Sequence, residues 1–194
     1  MPARDARLLV IDRDGTLSRD PEDFVRDPQD WQPLPGAPEA LARLNEAGWR
    51  IVVATNQPGL GRGVFDLATL NAVHAQMHRL LAQAGARVEA VFFCPHAPDE
   101  ECDCRKPAPG MLRDIARRWG LAPTQLVMVG DSLRDVQAGL AAGCETHLVL
   151  TGQSVHWRGA PRPPELPPSV AVHDDLSALA DALLSRDEPE GARP

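Results

Sequence analysis

Tyrosine is absent, and phenylalanine and tryptophan number four each, so aromatic residues make up 4% of the 194-residue chain. The scattered tryptophans Trp31, Trp49, Trp119 and Trp157 form no stacking platform for single-stranded nucleic acid and read as core or loop anchors. Positive charge is short as well. Twenty basic against 27 acidic residues leave a net charge of -7, which repels phosphodiester backbones and anionic lipid, so neither nucleic acid nor membrane is expected as a partner. No apolar run nears the ~18 residues of a membrane span. The start, Met1 to Arg7, opens onto only four apolar residues, Leu8 to Ile11, so insertion and secretion are not expected. There are four cysteines, and a chain without an export signal is placed in the reducing cytoplasm, where clustered thiols bind metal more often than they pair. The Gly-x-x-x-x-Gly-Lys-Ser/Thr loop of ATP-driven kinases is missing.

Short apolar runs alternate with helical patterns instead. Leu8 to Ile11, Ile51 to Ala54, Val88 to Phe93, Gln125 to Val129 and Thr146 to Leu150 read as buried strands, with a short one at Val170 to Val172. Helical patterns cover Pro38 to Ala47, Leu67 to Ala84, Met111 to Trp119, Leu133 to Ala142 and Leu176 to Leu184; the first four end at Gly48, Gly85, Gly120 and Gly143, where a C-cap favours glycine. Strand and helix in alternation imply an α/β, Rossmann-like doubly wound sheet, mostly parallel, with helices on both faces and ligands at the carboxyl ends of its strands. One domain over residues 1–185 with a frayed tail at 186–194 is expected, and the proline-rich Arg158 to Pro168 is expected to form no element.

The first strand ends in Asp12-Arg13-Asp14-Gly15-Thr16, and extended backbone sends residues i and i+2 to one side. A polar turn cornered at Asp14-Gly15 is the plain reading of this segment. A second acidic cluster, Gly130-Asp131-Ser132-Leu133-Arg134-Asp135, follows another buried strand, so both should open onto the same rim. Converging hard oxygen ligands suit Mg²⁺, which accepts a substrate phosphate oxygen into its shell. The hydroxyl and cationic donors that a phosphoryl group needs are present in Thr55-Asn56-Gln57 and Arg105-Lys106.

Cys94-Pro-His96 and Cys102-Asp-Cys104 place four soft or borderline ligands in eleven residues. A closed, tetrahedral Cys₃His zinc site with a structural role is the natural reading, against free thiols at a strand end. The flanking Asp99, Glu100, Glu101 and Asp103 should be exposed, and Cys144 reads as a small core hydrophobe.

The series Asp12-x-Asp14-Gly15-Thr16, Thr55, Lys106 and Gly130-Asp131-x-x-x-Asp135 resembles the haloacid dehalogenase superfamily of phosphohydrolases, in that family's order and over about the first 150 residues. By this resemblance Asp12 is the nucleophile that forms an aspartyl-phosphate, and Asp14 is the acid that protonates the leaving oxygen and then the base that activates water. Mg²⁺ would be held by Asp12, the Asp14 carbonyl and Asp131, while Thr55 and Lys106 clamp the phosphoryl oxygens. Asp135 would bind metal through water or orient Lys106.

The cysteine loop resembles a zinc-loop branch of the superfamily that contains heptose 1,7-bisphosphate 7-phosphatases and histidinol-phosphate phosphatases. Thr55 to Gly63 with Phe65, and Cys104 to Met111, resemble the heptose group, whose members act in lipopolysaccharide core or nucleotide-heptose precursor synthesis; the five-residue spacer between His96 and Cys102 resembles the histidinol group. A phosphorylated sugar is thus the implied substrate, with Arg62 and Arg105 toward its far end, Asp20 and Asp23 toward its hydroxyls, and Asn56, Gln57 and Ser132 also in contact. Ser132 departs from the pattern, standing where some heptose enzymes carry lysine. The intervals from Asp14 to Thr55 and from Thr55 to Lys106, about 40 and about 50 residues, leave no room for a separate cap domain. A monomer is expected.

Other signals are weaker. Gly59-Leu60-Gly61-Arg62-Gly63 lacks the dinucleotide spacing and does not follow the first strand. His74 and His78, i and i+4 on a helix, lack a third metal ligand and read as exposed polar residues. A zinc knuckle that binds RNA or protein without catalysis is the non-enzymatic alternative, but such modules are basic and aromatic where this loop is acidic.

Overall fold

The computed structural model describes residues 7–20 and 24–187. Asp23 and residues 188–194 of the tail expected at 186–194 lie outside them, whereas Arg186 and Asp187 are helical. Six strands, β1 (Leu8–Ile11), β2 (Arg50–Asn56), β3 (Ala90–Cys94), β4 (Leu126–Gly130), β5 (Glu145–Val149) and β6 (Ala171–His173), form one sheet in the order β3-β2-β1-β4-β5-β6. Every neighbouring pair is parallel. The connections wind outward in opposite directions from β1 and β4, so the crevice between those two strand ends is the topological switch point, where α/β folds bind ligands.

The strands read as unbroken apolar runs because both faces are covered. Leu9, Ile11, Ile51, Val53, Val127 and Val129 face one core with α1 (Ala37–Glu46), α3 (Leu67–Gln83) and α6 (Leu176–Asp187). The alternate residues Leu8, Val10, Val52, Ala54, Leu126 and Met128 face a second core with α4 (Gly110–Trp119) and α5 (Leu133–Ala142). Cys144 and Ala138 close that second core. Trp31 and Trp49 are buried in the first.

Gly48, Gly85, Gly120 and Gly143 all take positive φ at the ends of the helices they were expected to close. The proline-rich stretch is irregular, yet it buries Leu166 and Val170 against Leu148 and Val136 in a third small cluster. A one-turn helix, α2 (Pro58–Gly61), forms where the sequence pattern gave no signal. Among the described residues no helix is long and apolar enough to cross a membrane.

Candidate active site

Beyond β1 the ladder ends with the Asp12 N–H donating to the Val129 carbonyl at 3.0 Å, and the chain turns away at Gly15. That turn requires glycine twice over. Its φ is +86°, and a Cβ there would lie 2.3 Å from Asp131 Oδ2. The carboxylates of Asp12 and Asp131 consequently meet across the switch point. One ligand oxygen each from Asp12, Asp131 and Asp135 falls within 4.8 Å of the others, and all three residues are buried. They line a cavity of about 430 Å³ together with Asp14, Thr55 and Lys106.

Lys106 is 2% exposed. Its ammonium lies 2.5 Å from Asp12 Oδ1 and 2.6 Å from Asp135 Oδ1, and donates to the Ala54 carbonyl at 2.7 Å. Burial pulls its pKa down, but the carboxylates of Asp12 and Asp135 outweigh that and hold it raised. Burial lifts Asp12 well above the usual carboxylate range against the opposing pull of Lys106. Asp131 is pushed up to about 7 by burial and then by Asp135. The ammonium thus pairs with two of the three buried carboxylates, Asp12 and Asp135, and not with Asp131. The donor set is all oxygen and short of positive charge, which fits a hard divalent cation such as Mg²⁺.

The surrounding bonds fix these groups. Asp131 accepts from Thr16 Oγ1 at 3.0 Å and from the Gln153 N–H at 2.7 Å. Asp135 sits in the first turn of α5, where Oδ2 accepts from both the N–H (3.1 Å) and the Oγ (2.6 Å) of Ser132 while Oδ1 holds Lys106. Both roles open for Asp135 in the sequence are within its reach: Oδ1 holds Lys106, and the residue also stands with Asp12 and Asp131 in the group that could hold a metal. Asp14 is gripped by Arg13, with Nε to Oδ1 at 2.9 Å and Nη2 to Oδ2 at 2.7 Å, and Gln57 Nε2 donates to Oδ2 at 3.0 Å. The same Gln57 nitrogen bonds Thr55 Oγ1 at 3.0 Å.

Asp20, Asn56, Gln57, Arg62, Arg105 and Ser132 also line the cavity. Arg62 and Asp20 are exposed on its rim and Arg105 is half-buried. Arg13, Phe24, Arg134 and Gln153 line it too, and sequence reasoning missed them. For Arg13 the available signal was its place between the two aspartates. One expectation is corrected: His74 is buried rather than exposed, because its Nε2 meets Arg13 Nη1 at 3.2 Å inside the fold, whereas His78 one turn later is exposed.

Cys94 closes β3, and the chain then loops back so that Cys94, His96, Cys102 and Cys104 converge. Cys94 Sγ lies 3.5 Å from His96 Nδ1 and 3.8 Å from Cys102 Sγ, and Cys104 Sγ lies 3.4 Å from His96 Nδ1. A tetrahedron with metal bonds of about 2.3 Å to sulfur and about 2.1 Å to nitrogen has edges of roughly 3.4 to 3.8 Å, so the four ligands could hold zinc. Asp99, Glu100, Glu101 and Asp103 are exposed around it. The loop is also fastened to α2: Gly61 donates to the Pro95 carbonyl at 2.9 Å, an approach that a Cβ, 2.8 Å from that same oxygen, would block.

Comparison with known proteins agrees with this geometry. Residues 6–143 match the haloacid dehalogenase-like hydrolase family. The D-glycero-beta-D-manno-heptose-1,7-bisphosphate 7-phosphatase of Bordetella bronchiseptica is 51% identical over 92% of this chain and 98% of its own length. The protein of the same name from Pseudomonas aeruginosa is 46% identical over 91% and 97%. The crystal structure of the B. bronchiseptica enzyme, complexed with magnesium and phosphate, covers 93% of this chain and 99% of its own with a TM-score of 0.86 and 50% identity. With its paired aspartates, lysine and second acidic cluster around one crevice, the chain belongs to the haloacid dehalogenase-like hydrolase family.

Proposed function

We propose that this protein is a Mg²⁺-dependent phosphomonoester hydrolase that removes the 7-phosphate of D-glycero-D-manno-heptose 1,7-bisphosphate. The observation that carries the reading is the convergence of Asp12, Asp131 and Lys106 on one cavity in a chain 51% identical, over 92% of its length, to the B. bronchiseptica phosphatase of that name.

In this reading an Asp12 oxygen attacks phosphorus, the bond from phosphorus to the sugar oxygen breaks, and Asp14 gives that oxygen its proton. Water then attacks the aspartyl-phosphate, Asp14 takes the proton, and the bond between Asp12 and phosphorus breaks to release phosphate. Lys106 and Thr55 hold the phosphoryl oxygens, with Lys106 positioned by Asp135. Asp12, the Asp14 carbonyl and Asp131 would hold Mg²⁺, which when bound neutralises charge between an anionic nucleophile and an anionic substrate. Arg62 and Arg105 on the rim would face the distal phosphate, because a guanidinium pairs its donors with phosphate oxygens. Asp20, Asp23, Asn56, Gln57 and Ser132 would make the remaining contacts with the sugar. A single domain over 1–185, acting as a monomer, agrees with the few and scattered large apolar side chains exposed among the described residues, Leu67, Leu140 and Val155. The free thiols and zinc-type loop favour the reducing cytoplasm.

The test is phosphate release from heptose 1,7-bisphosphate and from histidinol phosphate, with Asp12→Asn as control. The bisphosphate should be preferred, and Asp12→Asn should lose on the order of 10⁴-fold in turnover. Preference for histidinol phosphate would move the chain to the other zinc-loop activity.

A further inference from the structure

We propose that His74, acting through Arg13, positions Asp14 for its proton transfers. The proposal rests on the reading of Asp14 as acid and base, and it adds a residue from outside the catalytic loops.

Asp14 stands on a turn, where a carboxylate would ordinarily sample several rotamers, yet both of its oxygens are gripped by one guanidinium. The fork from Arg13, Nε to Oδ1 and Nη2 to Oδ2, is the planar, two-point arrangement that fixes orientation as well as distance. A fork orients its target only if it is itself held. Arg13 is 2% exposed and cannot rely on solvent for that. The outer edge of the guanidinium instead meets His74 Nε2, at 3.2 Å from Nη1. An arginine N–H can only donate, so His74 must present a bare nitrogen lone pair, as a neutral ring does. Burial, and then the neighbouring Arg13, lower the His74 pKa to about 4, which keeps the ring neutral at physiological pH.

His74 belongs to the body of the fold. It lies in the 17-residue helix α3, next to Val73 and one turn from Met77 in the core, and its ring packs at 6.4 Å from that of Phe93 in β3. A chain of contacts therefore runs from a rigid helix through His74 and Arg13 to Asp14. Of the two Asp14 oxygens, Oδ2 is used by both Arg13 and Gln57, whereas Oδ1 has Arg13 and only a long 3.4 Å contact from Ser18. Oδ1 is thus the less engaged of the two oxygens.

The test uses three variants of the full chain: His74→Leu removes the acceptor, His74→Gln supplies an amide oxygen in its place, and Arg13→Lys leaves His74 intact but abolishes the fork. With heptose 1,7-bisphosphate, His74→Leu should lower kcat by about tenfold or more, a part of what acid and base catalysis supplies, with KM within about threefold of wild type. His74→Gln should restore most of the loss. Arg13→Lys should fall at least as far, and adding His74→Leu to it should cost little more, because the histidine acts through the arginine.

With 4-nitrophenyl phosphate, whose phenolate leaves without a proton, His74→Leu should give a rapid burst of one equivalent per chain followed by slow turnover, since only the second step then needs Asp14. Wild-type turnover in His74→Leu, equal losses in the Leu and Gln variants, or losses that add fully in the double variant would each overturn the tether. If His74→Leu does not fold, His74→Phe, which keeps a ring but offers no acceptor, takes its place: unchanged kcat rejects the proposal, and a kcat loss with the burst supports it. Failure of the underlying reading is separate, since then Asp14→Asn in an otherwise unaltered chain would keep its phosphatase activity.

Discussion

The side-chain amide of Asn56 brackets the backbone of Lys106, donating from Nδ2 to its carbonyl at 3.0 Å and accepting its N–H at Oδ1 at 3.1 Å. Asn56 is the last residue of β2, so this pair extends the sheet by one rung toward a residue fifty positions away and sets the height at which the ammonium enters the cavity. Asn56→Ala removes both bonds and should destabilise the fold by about 1 to 3 kcal/mol. Turnover should fall with it, as the ammonium loses its register. Urea unfolding and steady-state kinetics on the same preparation check both, and normal kcat in the variant would show that Lys106 is positioned without Asn56.

Lys106→Met leaves Asp12 and Asp135 facing each other with no cation between them. Breaking a buried pair from one side costs about 3 to 5 kcal/mol. The loss should be partly recovered by millimolar Mg²⁺, and activity should stay low at any Mg²⁺ concentration because the phosphoryl clamp is gone. Thermal unfolding with and without Mg²⁺ measures the first, and phosphate release the second.

Stability without metal should fall as pH rises. Asp131 and Asp12 both bind their protons more tightly in the folded chain than in the unfolded one, with Asp131 near 7. The folded state therefore holds the extra protons, and stability present below the ordinary carboxylate range, around pH 4, is lost as pH climbs toward 7. Mg²⁺ favours the ionised carboxylates and should flatten or reverse that slope. Melting temperatures across pH 5 to 8 in EDTA and in Mg²⁺ give the comparison, and a metal-free Tm that rises over this range would contradict the assignment of raised carboxylates.

Zinc should be found at about one ion per chain by elemental analysis of protein purified without chelator. Its removal should lower Tm and activity together, because Arg105 and Lys106 directly follow Cys104 and because Gly61 of α2 is bonded to the same loop. Full activity in zinc-free protein would uncouple the loop from the site.

The parts of this molecule that show in its sequence are those governed by local pattern. Apolar runs gave the strands to within about two residues, and Asp12, Asp14, Thr55, Lys106 and Asp131 stand out because each follows such a run or a marked motif. What did not show depends on burial across the fold. His74 shares the core-facing stripe of α3 with Leu70, Val73, Met77 and Leu81, but a polar ring there reads as exposed until Arg13, just past β1, is seen to meet it. Gln153 looks like any polar loop residue, since its contribution to Asp131 comes from its backbone. The partners of Asp135 did not show because both of its oxygens had to be followed in space, one to Lys106 and one to Ser132.

The convergence of Cys94, His96, Cys102 and Cys104 also bears on how this loop can vary. An ion common to both ends of a span fixes the two ends and leaves the interval between them mechanically independent. The arc of residues Pro98 to Glu101 is exposed between two ends that the metal would pin, with Pro98 lining the active-site cavity and Glu100 bonded back to Ala97, so chain could be added or removed only on the far side of that arc without disturbing the site. Closing a longer arc costs only slowly more entropy, about 0.6 kcal/mol per doubling of length. The His96 to Cys102 spacing can therefore drift at Asp99 and Glu101, whereas a change at its Pro98 end would alter the wall of the crevice that the phosphate ester enters.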